Sequence, residues 1–212
     1  MSGLPVEDLR PWFLAVGDLE RELAGARLDW GTWFGNSNPV EIDVGSGRGL
    51  FLHTASGANP GTNYLGVEIE FKEGRRAAKR LQRAGRTNAR VLGGDAHYFL
   101  RNLVAPQSVD AIHVYFPDPW WKKKHRSRRV FSDLFVDMAV VALKPRGYLH
   151  SWTDVEEYFG VISGLMNNDA RFESLSAPQE RSAEHDMDYQ TSFERKARKL
   201  GTKIHRGLWR LR

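Results

Sequence analysis

The sequence predicts an α/β domain in which a mostly parallel sheet carries helices on both faces. Short β-branched runs alternate with segments of helical periodicity from residue 40 to residue 166. A glycine-rich loop, Gly45–Gly49, directly follows the first of these runs. An acidic residue stands at or just after the end of five successive predicted strands. Alternation of this kind is typical of sheets whose parallel strands are joined by helices.

Length and composition fit one domain with a large core and an extension. The chain has 212 residues, of which 41% are hydrophobic and 27% charged. It has no cysteine, which excludes disulfides, thiolate zinc sites and a thiol nucleophile. The longest apolar run, Met138–Leu143, is too short to span a bilayer, and the N-terminus lacks the pattern of a secretory signal. We therefore expect a cytoplasmic protein that does not enter a membrane.

Positive charge is clustered along the chain. The formal net charge is +5 and the sequence pI is about 9.5. Basic residues concentrate in Lys72–Arg90, Lys122–Arg129 and Arg195–Arg212. Clusters of this kind favour a polyanionic partner, nucleic acid above all, over an acidic small molecule. The alternative interpretation is that the cations serve solubility alone.

Residues 1–38 are predicted to be an N-terminal extension, and residues 39–212 the main domain. Glu7–Ala24 has the pattern of an amphipathic helix, with Pro11 either in its first turn or breaking it. The turn Asn36–Pro39 marks the boundary. The extension is rich in aromatic residues, which we expect to dock on the domain: Trp12, Phe13, Trp30, Trp33 and Phe34.

The elements of the main domain follow from local pattern. Lys144-Pro145-Arg146-Gly147 and Gly201 are predicted to end helices, and Pro178–Tyr189 is predicted to be a polar loop. The predicted strands are Val40–Val44, Tyr64–Ile69, Ala89–Leu92, Val109–Phe116, Tyr148–Trp152, Phe172–Leu175 and Lys203–Leu211. The predicted helices are Leu50–Ala55, Phe71–Ala84, Tyr98–Leu103, Val130–Leu143, Val155–Met166 and Ser192–Leu200.

Acidic side chains are predicted to meet at the carboxyl edge of the sheet, where α/β proteins bind ligands. The first five strands of the main domain deliver, in order, Asp43, Glu68, Asp95, Asp118 and Thr153-Asp154. Unpaired charge is unfavourable at such positions, so the whole set indicates a polar ligand. Taken singly, Glu68 or Asp95 fits a helix cap or a surface salt bridge equally well.

The acids next to the glycine loop favour a ligand without phosphate. Gly45, Gly47 and Gly49 would also suit a dinucleotide. However, Asp43 would repel a pyrophosphate, whereas it could bind an ammonium group. Glu68 suits a ribose diol, and Asp95 could accept a hydrogen bond from an adenine amino group. S-adenosylmethionine carries all three groups and no phosphate.

The stretch Val114–Arg129 combines a carboxylate, two indoles and a cationic run. Pro117 and Pro119 flank Asp118 and are predicted to hold Phe116 and Asp118 in extended geometry. Trp120 and Trp121 could stack on a base, and the six cations within Lys122–Arg129 could follow phosphates. The alternative is an ordinary loop with a solvated basic face.

From about Val40 to the C-terminus, the chain resembles the bacterial tRNA (guanine-N7)-methyltransferase family. Several spaced motifs carry the resemblance. They are Glu41–Gly49, Asn63–Glu68, Asp95-Ala96, the Phe-Pro-Asp-Pro-Trp stretch with its basic cluster at Phe116–Arg129, Thr153-Asp154, and the Thr-x-Phe-Glu motif at Thr191–Glu194.

The resemblance implies a Rossmann-like class I S-adenosylmethionine-dependent methyltransferase fold, and methylation of the N7 atom of guanosine 46 in the tRNA variable loop. It implies Asp118 as the catalytic position. Cofactor contacts would come from Asp43, Gly45, Gly47, Glu68, Asp95 and Asp118. Substrate contacts would come from Lys122, Asp154, Thr191, Ser192, Phe193 and Glu194. RNA contacts would come from Lys124, His125, Arg126, Ser127, Arg128 and Arg129. The family usually has glutamate at the position of Asp43, and arginine and lysine at the positions of Lys124 and Ser127.

Other functions are compatible with parts of the pattern. The Asp118 turn also suits an exocyclic amino-methyltransferase acting on RNA or DNA. An RNA-binding module without catalysis and an NAD-dependent reductase are further alternatives. Glu184-His185-Asp186 with Asp188 is the only dense group of metal-ligand residues, and a solvated loop explains it better, so we expect no metal. Whether the protein is a monomer or a homodimer stays open.

Overall fold

The computed structural model describes residues 9–122, 124–125, 129–179, 189 and 191–212. Its strands are β1 (Phe13–Ala15), β2 (Val40–Val44), β3 (Asn63–Glu68), β4 (Ala89–Gly93), β5 (Val109–Tyr115), β6 (Leu143–Thr153), β7 (Phe172–Leu175) and β8 (His205–Leu211). Its helices are α1 (Val16–Leu23), α2 (Trp30–Phe34), α3 (Leu50–Ala58), α4 (Phe71–Arg83), α5 (Ala96–Asn102), α6 (Asp133–Ala142), α7 (Glu156–Asn167) and α8 (Ser192–Lys199).

The predicted α/β fold with a mostly parallel sheet is confirmed. The eight strands have the order β1-β4-β3-β2-β5-β6-β8-β7. The first six of them in this order run parallel, and β8 pairs antiparallel with both β6 and β7. The direction of winding reverses between β2 and β5, because β3 and β4 lie on one side of β2 and β5 lies on the other. A crevice for ligands is expected at the carboxyl ends of these two strands, from which Asp43 and Asp118 come.

Both faces of the sheet are covered, which explains the nearly continuous apolar runs of the central strands. On one face, Ile42 and Ile112 pack in a core that includes Phe99 of α5, Phe135 of α6 and Ile162 of α7. On the other face, apolar residues of α3 and α4 form a second core with the strands, namely Leu52, Ala77, Ala78, Leu81, Tyr64 and Val91. This packing holds the carboxyl ends of the strands in fixed positions. No helix in the described ranges is long and apolar enough to cross a membrane.

The predicted helix Glu7–Ala24 is wrong over residues 9–15, and its first two residues lie outside the described ranges. Phe13–Ala15 form the edge strand β1, which pairs parallel with β4, and α1 begins only at Val16. Tertiary pairing overrides the helical pattern here, because the ring of Phe13 packs against Gly93, where an added Cβ would lie 2.6 Å from it. The strand also gains a backbone bond from Val91 N to Trp12 O (2.8 Å).

The aromatic residues of the leading segment dock on the domain, as their number suggests. Trp30 and Phe34 lie in the short helix α2, which the sequence analysis did not predict, and both are buried in the main core. Asp29 caps this helix by accepting a bond from Thr32 N. Trp12 donates from Nε1 to Arg86 O at 2.6 Å. The division at residue 38 stays a prediction, although residues on both sides of it share one core.

Residues 144–147 were expected to end a helix, with the next strand beginning at Tyr148, but they lie inside a strand. The strand β6 begins at Leu143, immediately after α6, and contains these residues as an irregularity. Val109 pairs with Leu143 and Ala111 with Tyr148, so four residues bulge out between consecutive pairs. Arg146 has a φ of +67° within this bulge. The other predicted strands and helices are found within a few residues of their expected bounds.

Candidate active site

Asp43 is a buried carboxylate at the carboxyl end of the central strand β2. The residue is 3% exposed, and no hydrogen bond to its side chain is found within the part of the chain that the structure describes. Burial, and then the negative charge of Glu68, raise the pKa of Asp43 to about 8. A buried acid without a partner is unfavourable for folding, and this combination is characteristic of ligand sites.

The glycine loop wraps around this carboxyl end. Gly47 and Gly49 have φ angles of +52° and +66°, which residues with a Cβ rarely adopt. A Cβ on Gly49 would also lie 2.6 Å from Ala77 Cβ, so this glycine lets α3 and α4 pack closely. Glu68 holds the loop, because its Oε2 accepts from Gly47 N (2.7 Å) and its Oε1 accepts from Glu70 N (2.9 Å). This shaping role of Glu68 was not visible in the sequence.

A pocket of about 320 Å³ opens between the glycine loop and the start of α8. Two sets of predicted site residues that are nearly 150 positions apart in the chain meet in it. The first set is Asp43, Gly45 and Gly47, and the second is Thr191, Ser192 and Phe193. Arg48, Phe51, Glu73 and Tyr115 complete much of its lining. Sequence reasoning missed these four, since nothing local marks them as site residues.

The Thr-x-Phe-Glu motif builds the start of α8. Thr191 caps the helix, because its Oγ1 accepts from Glu194 N at 2.9 Å. Phe193 is 59% exposed and stacks on Phe116, with ring centroids 5.9 Å apart. Glu194 is buried, and its Oε1 lies 3.6 Å from guanidinium nitrogens of both Arg198 and Arg206. Glu194 thus has a structural role in α8, and its predicted substrate contact stays a prediction.

Asp118 is exposed, lies in a turn whose neighbouring residues are half-buried, and lines a second pocket of about 420 Å³. Pro119, Trp120, Trp121, Lys122 and His125 line this pocket with it. The expected extended geometry of Phe116 is wrong, because its φ is +51°. A bond from Phe116 N to Trp152 O (2.7 Å) and the stacking on Phe193 hold it there. Phe193 lines the first pocket, and its partner Phe116 lies two residues before Asp118.

Arg129 anchors the turn that carries Asp118. Its Nε donates to Pro119 O at 2.6 Å. Its guanidinium lies over the rings of Tyr158 (5.1 Å) and Trp121 (5.7 Å). Burial raises the pKa of Tyr158, and the charge of Asp118 adds to this rise while Arg129 opposes it. Arg129, predicted to contact RNA, therefore also has a position-holding role inside the protein.

Asp95 fits the alternative that the sequence left open for it, a helix cap. Its Oδ1 accepts from His97 N (2.7 Å) and Tyr98 N (3.2 Å) at the start of α5. The residue is exposed, so a ligand can still reach it. Ile69, directly after Glu68, is 66% exposed and presents apolar surface at the same edge of the sheet. The predicted strand Tyr64–Ile69 includes Ile69, whereas β3 ends at Glu68.

The remaining predicted site residues lie at the rim. Thr153 accepts from Val155 N through Oγ1 (3.2 Å), and Asp154 is exposed beside it. Lys122 and Lys124 are exposed, and the ring of His125 packs edge-on against Trp120 at 5.6 Å. Arg126, Ser127, Arg128 and the cluster Glu184–Asp188 lie outside the described residues. Among the residues that are described, no three His, Asp or Glu side chains form a metal-binding group.

Asp43→Asn is expected to flatten the dependence of stability on pH between about pH 4 and 8. The pKa is about 8 in the folded protein against an ordinary value of 3.8. The folded protein therefore keeps a proton that the unfolded chain releases, and the free energy of unfolding falls as pH rises, by up to about 1.4 kcal/mol per unit. Asparagine does not titrate and removes this slope.

Urea unfolding at pH 5, 6.5 and 8 measures this effect. The exposed Asp154→Asn variant is the matched control and should keep the slope of the parent protein. Parallel curves for the parent and Asp43→Asn would show that Asp43 is ionised at neutral pH like an ordinary carboxylate.

Comparison with known proteins gives a consistent result. A family model described as "Putative methyltransferase" matches residues 37–207. A tRNA (guanine-N(7)-)-methyltransferase of Rhodopirellula baltica is 41% identical over 214 residues, which cover 98% of this chain and 77% of the relative. The protein of the same name from Cupriavidus necator is 33% identical over 184 residues, covering 86% and 68%.

Two solved methyltransferases have a similar fold. A SAM-dependent methyltransferase from Aquifex aeolicus superimposes with a TM-score of 0.58 at 14% identity, covering 85% of this chain and 87% of the other. The antibiotic-resistance methyltransferase Kmr superimposes with a TM-score of 0.56 at 19% identity, covering 92% of both chains. At these identities the likeness shows the fold alone.

Proposed function

Because the chain belongs to the bacterial tRNA (guanine-N7)-methyltransferase family, we propose that it transfers a methyl group from S-adenosylmethionine to N7 of a guanosine in tRNA. Guanosine 46 of the variable loop is the proposed target. Since its substrate is tRNA, the cytoplasm is its proposed place of action.

One observation carries the proposal. The residues that family resemblance assigns to the cofactor, Asp43, Gly45 and Gly47, line one pocket with Thr191, Ser192 and Phe193, which it assigns to the substrate. A methyl transfer requires donor and acceptor to lie side by side, with the reacting atoms in line. The convergence of both sets in one pocket supports this requirement.

The residues present fit S-adenosylmethionine. Asp43 is buried, has no hydrogen-bond partner among the described residues and has its pKa raised to about 8, so an ammonium group next to it would favour its ionised form and pair with it. Glu68 and the exposed Asp95 lie on the neighbouring strand ends, with Gly93 of β4 in register with Glu68. They would bind the ribose and the adenine amino group, and the exposed Ile69 would pack on the base. When bound, the cofactor supplies a methyl group activated by its sulfonium.

Asp118 would act on the guanine through its charge. N7 is a lone-pair nucleophile that has no proton to lose, so no general base is required. Methylation moves positive charge onto the purine ring, and a carboxylate near the ring stabilises this charge. Asp118 can also accept hydrogen bonds from guanine N1–H and the exocyclic amino group, which orients N7. Trp120 and Trp121 border the same pocket and offer aromatic surface to nucleotides.

Mapping of the methylated atom tests the proposed reaction. A tRNA transcript is incubated with the protein and labelled S-adenosylmethionine, then treated with borohydride and aniline. N7-methylguanosine makes the chain cleave at its position, and we expect one cleavage site, in the variable loop. A tRNA with 7-deazaguanosine at that position is the matched control, because it lacks only N7. Labelled product that resists cleavage would favour exocyclic amine methylation instead.

Arg129→Lys is expected to lower the single-turnover rate about tenfold, equivalent to about 1.4 kcal/mol. Lysine keeps the charge but lacks the planar fork that bonds Pro119 O and stacks on Tyr158. The turn holding Asp118 would then be less well positioned. The salt dependence of tRNA binding should hardly change, since the charge is retained.

Arg129→Gln and Lys124→Gln separate positioning from phosphate contact. Lys124→Gln removes an exposed cation from the same segment and should reduce the log–log salt slope by nearly one unit. If Arg129→Lys keeps the full rate and Arg129→Gln changes only the salt slope, Arg129 is a phosphate contact and not a positioning residue.

A further inference from the structure

A groove between α3 and α4 is lined by basic side chains. Its volume is about 700 Å³, and apart from Ala84 the described residues that line it are all basic: Arg48, His53, Arg76, Lys79, Arg80 and Arg83. The helix α4 contains six cations and one carboxylate, so its formal net charge of +5 equals that of the whole chain. The net charge of the protein is thus concentrated on this helix.

The cations of the groove are crowded. One carboxylate, Glu73, serves two of them, accepting from Arg48 Nε (2.7 Å) and from a terminal nitrogen of Arg76 (2.6 Å). Arg80 is partly buried, and burial, followed by the charges of Arg195 and Arg48, lowers its pKa. An arginine stays protonated at neutral pH even so. Mutual repulsion of this kind is relieved when an anion binds.

The groove is continuous with the candidate active site. Arg48 lines both the groove and the pocket that contains Asp43 and Phe193. From there, Arg76, Arg80 and Arg83 follow one side of α4 over seven residues, or about 10 Å. A length of about 10 Å is enough for more than one phosphate of an RNA strand.

We propose that the α3–α4 groove binds backbone phosphates of the tRNA, as a second RNA-contact surface besides the Lys122–Arg129 run. This inference rests on the proposed function, since the tRNA is the polyanion that would occupy the groove. The groove begins at the glycine loop, so a tRNA whose guanosine enters the pocket would lay an adjoining part of its backbone along α4. Contacts at two places would fix the orientation of the tRNA as well as its affinity.

The test compares two double variants of the same helix. Arg80→Gln with Arg83→Gln removes two charges from the groove. Lys72→Gln with Arg75→Gln removes two charges at the same spacing from residues of α4 that do not line it. Glutamine is a good helix former, so both variants should keep α4. Binding of tRNA is measured between 0.05 and 0.3 M salt, with thermal melting as the check on folding.

We expect the groove variant to lose about 1.8 units of the log–log salt slope, or about 0.9 per phosphate contact, and to bind tRNA more than tenfold more weakly at about 0.15 M salt. The control pair should lose much less. Equal losses in both pairs would mean that only the general field of the helix matters, and no loss in either would mean that RNA does not touch α4. Either result contradicts the proposal that the groove binds tRNA.

Two further measurements distinguish a failure of the groove proposal from a failure of the proposed function. If the parent protein produces N7-methylguanosine but the groove variant binds tRNA normally, the groove proposal fails and the function stands. If the parent methylates no tRNA, the function fails. Cosedimentation with anionic lipid vesicles tests a different anionic partner. If only the groove variant loses vesicle binding while its tRNA binding is intact, the surface binds a membrane and the groove proposal fails.

Discussion

Asp43→Ala is expected to weaken the binding of S-adenosylmethionine by one to two orders of magnitude. The carboxylate is buried at the end of β2 and has no partner among the described residues, so a cofactor ammonium would be its counter-charge. Loss of a charged hydrogen bond costs on the order of 1.5–3 kcal/mol, and each 1.4 kcal/mol is a factor of ten in affinity. Isothermal titration calorimetry on the folded variant measures the effect.

Three further variants test the specificity of this result. Asp43→Glu carries the residue that the family usually has and should retain most of the affinity. Asp95→Asn keeps a side chain that can cap α5 but loses the charge, whereas Asp95→Ala loses both. Weaker binding in both Asp95 variants would indicate a cofactor contact, and a loss of stability in Asp95→Ala alone would indicate a cap only. Unchanged affinity in Asp43→Ala would remove Asp43 from the cofactor site.

Most of the fold was predictable because parallel strands and amphipathic helices have local patterns. Val40–Val44 is the clearest case, since β2 has the predicted bounds. Elements whose conformation depends on distant partners were not predictable. Phe13–Ala15 has a helical pattern but becomes an edge strand because the neighbouring position beside β4 is available to it. Phe116 has positive φ although it precedes a proline, because Trp152 and Phe193 hold it.

The site residues at the strand ends were predictable. The residues whose roles depend on tertiary contacts were not. Asp43 and the glycine loop follow directly from strand periodicity, and the structure brings Thr191–Phe193 to them over a long sequence separation. The roles of Arg48, Arg129 and Glu194 depend on contacts across the fold: Arg48 bonds Glu73, Arg129 bonds Pro119, and Glu194 faces two arginines. Apart from the pair of Glu194 and Arg198, which lie four residues apart in α8, no short sequence pattern encodes these contacts, because the partners are distant in the chain.

Acidic and basic residues occupy different places around the candidate site. Acidic groups lie at the carboxyl ends of the central strands, and cations lie in the turn after Asp118 and along α4. A donor with a positive sulfonium and a negatively charged RNA are therefore drawn to adjoining places. The methylated guanine becomes cationic as it forms, and in the proposed mechanism Asp118 stabilises this charge. Neutral side chains of the same shape could not fill that proposed role.

Asp118→Asn is expected to lower the rate of methyl transfer about a hundredfold or more while tRNA binding changes little. Asparagine keeps the size and one acceptor, but it lacks the charge that stabilises a cationic purine, and loss of one preorganised electrostatic partner has about this effect on rate. The turn is held by Arg129 through the backbone of Pro119, so the variant should keep its conformation. Single-turnover kinetics at saturating tRNA and cofactor isolate the chemical step.

The methylated atom discriminates between two roles of Asp118. An exocyclic amine must lose a proton when it is methylated, so Asp118 could serve it as a general base. N7 has no proton to lose, so there the carboxylate is needed only for its charge. A variant with the full single-turnover rate would contradict the electrostatic role, and a product of the parent protein that resists borohydride and aniline cleavage would contradict N7 as the acceptor.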